Sequence, residues 1–131
     1  MIDAKQRYVG ITVLGDFILS EGVDAVLDNV SGAGASAVAL NPTVTAEAAE
    51  GQGSFQPPDD AGTSPRLFDR PLFGKTSLWV ESEVSYEPDA SLYTASSYAP
   101  RVAGPLTETH GSLIGEFIDS ARSRDLDVFL Q

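Results

Sequence analysis

The chain has 131 residues, no cysteine and a net charge of −11, with 8 lysines and arginines against 19 aspartates and glutamates. That length suits one domain with a core of its own, and 42% hydrophobic residues exclude a disordered tail. The charge argues against nucleic acid and against an anionic membrane surface as partner, since both would repel it, and without cysteine there is no disulfide and no thiolate metal site.

Residues 1–6 read as a lead-in without the apolar core of a signal peptide, so a cytoplasmic location is expected. No apolar run approaches the length of a membrane span. RYVGITVL gives a first strand over residues 8–14. Gly15 and Asp16 close it, and residues 17–19 carry the chain to a helix over 21–32. Val23, Val26, Leu27 and Val30 recur at i, i+3, i+4 and i+7, one face of a helix. Ser20 is its expected N-cap, with Glu21 and Asp24 at the positive end of the dipole. Gly32 and Gly34 end it. A second strand, 36–41, is almost continuously apolar, as in a strand covered on both faces.

Residues 42–106 read as an irregular insertion that holds all 8 prolines of the chain. Within it KTSLWVESEVSY alternates, with Leu78, Val80 and Val84 on one face and Trp79, Glu81 and Glu83 on the other. FDRPLFG is a candidate to pair with it. The insertion leaves the C-terminal end of the second strand, the side on which parallel α/β folds build their active sites.

A second helix is expected over 108–124. Leu113, Ile114, Phe117, Ile118 and Ala121 form its apolar stripe, and Arg122 and Arg124 sit at its negative end. A third strand, 126–131, follows. VLDNVSGAGASAVALN and FIDSARSRDLDVFLQ therefore match as two helix–strand units. The expected fold class is α/β, a parallel β-α-β-(long loop)-α-β arrangement. It forms a single incomplete unit over 1–131, regular over 7–41 and 107–131, with the insertion over 42–106.

Six residues are candidate substrate contacts. Trp79, with Tyr86, Tyr93 and Tyr98 nearby in sequence, suits stacking on sugar rings, or else anchors the insertion. Glu81 opens the acidic run Glu81, Glu83, Glu87 and Asp89. Paired carboxylates there suit glycosidic acid–base work or a hard cation, and the ordinary alternative is a solvated face. His110, the only histidine, lies one turn before Ile114, placed for a substrate hydroxyl or a structural hydrogen bond. Asp16, Asn41 and Gln131 are polar residues at strand ends. The catalytic residues stay unassigned. No metal site and no cofactor are expected from one histidine without cysteine, and there is no GxGxxG, P-loop or GxSxG motif.

GVDAVLDNVSGAGASAVALN, a long aromatic loop, and then SLIGEFIDSARSRDLDVFLQ together resemble the opening of a glycoside-hydrolase-like (β/α)8 (TIM) barrel. In such barrels the helix before the third strand ends in an Arg-Gly-Leu-like turn. The turn here is Arg124-Asp125-Leu126, so Asp125 must adopt the left-handed conformation or the turn must differ. The resemblance implies the first part of a TIM barrel in a carbohydrate-active protein, with a carbohydrate or other small molecule as partner. This part would supply a substrate-binding loop rather than the main acid and base, which follow later strands, so the 131 residues alone are expected to be inactive. Two alternatives stand beside it: a non-catalytic α/β binding or assembly module, and a sugar isomerase-like metal enzyme. Val128, Phe129 and Leu130 have no following helix to cover them. Self-association through the open sheet is expected, unless Phe55, Phe68, Phe73 or Trp79 folds beneath it.

Overall fold

Strands β1 (Gly10–Leu14), β2 (Ala37–Asn41) and β6 (Asp127–Leu130) form one sheet in the order β1-β2-β6, and both pairings are parallel. The structure, a computed structural model, describes residues 7–58 and 66–131. The lead-in over 1–6 and the middle of the proline-rich stretch, 59–65, lie outside the described residues.

Helices α2 (Val23–Gly32) and α4 (Leu113–Ser123) carry the expected apolar stripes. Leu27 and Val30 meet Phe117 and Ala121 in one core with Val38 and Leu40 of β2. Both helices end in the same way. Gly34 and Asp125 take positive φ, 82° and 56°. Ala35 N–H then reaches back to Val30 O at 3.3 Å, and Leu126 N–H to Ala121 O at 3.1 Å. These are Schellman closures, which cap the last carbonyls and aim the chain into the next strand. Arg124 adds a bridge between the helices, its Nη2 lying 2.9 Å from Asp28 Oδ1 and 3.3 Å from Asp24 Oδ1.

Three expectations for the regular parts need correction. Residues 17–19 are not a connector but lie inside a further helix, α1 (Gly15–Glu21). It starts directly after β1 because only glycine fits there: a Cβ at Gly15 would stand 2.2 Å from Thr43 O. Ser20 accordingly caps nothing. Its hydroxyl turns back to Phe17 O at 3.4 Å, and Gly22 is the N-cap of α2. The 108–124 helix is two helices, α3 (Pro105–His110) and α4, because Pro105 starts the first one early. The ladder is then broken where Ile114 N–H donates to Ser85 O at 3.4 Å rather than to a carbonyl one turn back.

The insertion carries a sheet of its own. Strands β3 (Thr43–Glu47), β4 (Ser54–Gln56) and β5 (Leu78–Val84) form an antiparallel sheet in the order β3-β5-β4. Only Pro42 separates β2 from β3. The two sheets are joined tightly: Val44 of β3 is fully buried in the main core, and Ser85 donates both N–H and Oγ–H to Pro42 O at 2.9 Å. FDRPLFG does not form a strand with β5. It makes a tight turn, with a bridge between Leu72 and Lys75 and Phe68 N–H donating to Thr76 O at 2.8 Å. Phe68 and Leu72 then pack on Leu78 and Val80 as a second small core.

The insertion therefore does not fill the open face of the parallel sheet. Phe68 is used in the second core, Phe55 meets Trp79, and Phe73 stays exposed. On the sheet, Thr12, Ala39 and Phe129 fall in one row, and Phe129 and Leu130 remain 54% and 58% exposed.

Candidate functional site

The polar residues at the strand ends are held by the fold itself. Asp16 Oδ1 accepts Thr45 N–H at 2.6 Å and pins α1 to β3. Asn41 Oδ1 accepts Thr43 N–H at 3.2 Å and the Thr43 hydroxyl at 2.7 Å, which shapes the turn at Pro42. Gln131 is exposed, and its N–H continues the sheet by donating to Leu40 O at 3.0 Å. His110 is half-buried and closes α3 instead of lying on the stripe of α4.

Members of the acidic run take different partners. Glu83 faces the N-terminus of α3, accepting Leu106 N–H at 3.2 Å and Thr107 N–H at 3.3 Å. Thr107 Oγ1 closes the clamp by donating to Val84 O at 2.8 Å. Desolvation pushes the Glu83 carboxyl up, but the N–H groups of Leu106, Thr107 and Gly104 outweigh it and hold the carboxyl below its ordinary value. Asp89 is likewise committed, to Ser91 Oγ at 2.6 Å and Ser91 N–H at 3.0 Å, and those bonds lower its carboxyl. Glu81 is exposed on β5 without a described partner.

Trp79 is brought to a different place. Thr43, next to Asn41, pairs with Val84 at the near end of β5, whereas Trp79 is at the far end, about 17 Å up the strand at roughly 3.4 Å per residue. There it lies opposite Phe55 of β4, the rings edge to face at 5.6 Å and 66°. The pair forms part of a cleft of about 490 Å³ whose other lining residues include Glu47, Glu50, Lys75 and Ser77. Local backbone sets Glu47 and Lys75. Ala48 N–H donates to Trp79 O at 3.0 Å and keeps the end of β3 against β5. Leu72 and Lys75 exchange backbone bonds at 2.9 and 3.0 Å, and that turn carries the Lys75 ammonium to 2.7 Å from Glu47 Oε1.

The cleft combines apolar and charged side chains. It offers an aromatic face, carboxylate acceptors and an ammonium donor around a space of small-ligand size. Among the described residues no group of three or more His, Cys, Asp or Glu side chains could hold a metal ion, and no helix is long and apolar enough to cross a membrane.

Of the sequence candidates, only Trp79 lines this cleft. Phe55, Lys75, Glu47 and Glu50 were not singled out as ligand contacts. They come from segments far apart in sequence, which strand register and the turn at residues 72–75 bring together. The chain matches no protein-family model, no curated protein and no solved structure.

Proposed function

We propose that the chain is a carbohydrate-binding α/β unit, built as the first part of a glycoside-hydrolase-like TIM barrel. Its insertion after the second strand supplies sugar contacts rather than the acid–base pair. The observation that carries this reading is the Trp79–Phe55 pair beside Glu47 and Lys75, on a sheet that continues β2 at its C-terminal end. An aromatic plane beside charged acceptors and donors suits a ligand with an apolar face and a rim of hydroxyls. Support for the barrel comes from the sequential order β1-β2-β6, all parallel, with α2 and α4 packed together over it and the opposite face open at Phe129.

The test is calorimetry with a panel of oligosaccharides, beside assays on chromogenic glycosides. Binding without turnover is expected, because Glu83 is committed to α3. Absence of binding to every carbohydrate would refute the reading, and turnover abolished by Glu81→Gln would refute the non-catalytic role.

An assembly role is favoured by a separate observation: edge strand β6 exposes Phe129 and Leu130. The metal-dependent sugar isomerase reading has no ligand cluster among the described residues to support it.

A further inference from the structure

We infer that the Trp79 cleft is selective for neutral pyranosides and rejects sugars that carry a carboxylate, sulfate or phosphate. The inference rests on the carbohydrate reading above and adds the ligand's charge class and its contacts. Phe55 and Trp79 meet edge to face, so one ring plane is presented beside the edge of the other. A pyranose presents C–H groups on one face, which suits a ring plane, and hydroxyls around its rim.

Two kinds of polar partner stand at that rim. Lys75 and Glu47 form an ion pair at 2.7 Å whose side chains are 59% and 48% exposed. An exposed pair holds its partners weakly, so it can open to let the ammonium donate to one hydroxyl and the carboxylate accept from another. Glu50 adds a second acceptor, and Ser77 can do either.

Charge selects the sugar. The cleft holds the carboxylates of Glu47 and Glu50 against the single ammonium of Lys75, in a chain whose net charge is −11. An anionic sugar would meet net repulsion both locally and from the whole molecule. A wholly apolar ligand would strip water from Glu47 and Lys75 and return no hydrogen bonds. A neutral polyol with an apolar face satisfies both halves of the cleft.

The chain has a single tryptophan, so its intrinsic fluorescence reports this cleft directly. Wild type, Phe55→Ala and Lys75→Met are titrated with neutral oligosaccharides and with the matching uronic acid sugars. Lys75 is exposed, so K75M keeps the test valid if F55A perturbs the short strand β4, and circular dichroism checks both folds. The expected result is a saturable change with neutral sugars only, weakened roughly tenfold in each variant, the loss of one aromatic contact or one charge-assisted hydrogen bond. Neutral-sugar binding that both variants leave intact would overturn this assignment of the cleft while sparing the carbohydrate reading. Failure of every sugar would overturn both. Uronic acid sugars binding as tightly as neutral sugars would overturn the charge selection.

Discussion

Gly34 and Asp125 occupy the same position in two helix–strand junctions, one after α2 and one after α4, with φ of 82° and 56°. Each sits one residue before the N–H that reaches back five residues, Ala35 to Val30 and Leu126 to Ala121. The left-handed conformation is free for glycine and costs other residues roughly 1 kcal/mol, somewhat less for aspartate. Asp125→Gly is therefore expected to stabilise the chain by about 0.5–1 kcal/mol. Gly34→Ala is expected to destabilise it by about 1 kcal/mol, since no atom crowds a Cβ there and the cost is purely conformational. Urea melts read both changes as shifts of midpoint at constant slope.

Phe117 is fully buried at the centre of the main core. Phe117→Ala is expected to cost about 3–5 kcal/mol, a large part of the roughly 5–15 kcal/mol that holds a small domain folded. A urea midpoint close to that of the wild type would show that α4 does not carry the core.

Glu83 makes stability depend on pH. Its folded carboxyl is held below the unfolded value because N–H groups of α3 favour the charged form, against the opposing effect of desolvation. The unfolded chain thus binds the proton more readily. The contribution of Glu83 is fully present above the unfolded value, near pH 4.5, and is lost as the pH falls through the lower folded value. Melts between pH 3 and 7 should show a smaller acid loss in Glu83→Gln than in wild type. Equal slopes in the two proteins would contradict the clamp.

These relationships show what the sequence could and could not reveal. β1, β2, β6 and the stripes of α2 and α4 were legible because their burial repeats with a local period. The left-handed turn at Asp125 was one of the two alternatives that the barrel resemblance left open. β5 was legible too, in the alternation of KTSLWVESEVSY, but its partners were not, since TVTAE and SFQ are short and largely polar, and their pairing with β5 depends on residues far along the chain. The same distance hid the cleft. Trp79 stood out as a lone large aromatic, but Phe55 and Lys75 become its neighbours only through strand register and the turn at residues 72–75. Asp16 and Asn41 read as ligand contacts by position, yet the chain turns at once into β3, and its N–H groups take up their oxygens.

Phe129 and Leu130, on opposite faces of edge strand β6, are half-exposed and leave about half of the roughly 1.5–3 kcal/mol of full burial unrealised per side chain. Self-association of the purified chain is expected, visible as a sedimentation coefficient that rises with concentration, and stronger in salt that screens the net charge of −11. Phe129→Ser should weaken it. A monomer at all concentrations would show that the open face is not used between copies.

The most direct test of the central claim is a map of backbone and indole N–H chemical shifts during titration with a neutral oligosaccharide. The account predicts changes at the Trp79 indole and along residues 47–56 and 75–79, with Asp16, Asn41, His110 and Gln131 unmoved. Shifts concentrated instead on those four residues, with the Trp79 indole unmoved, would contradict it.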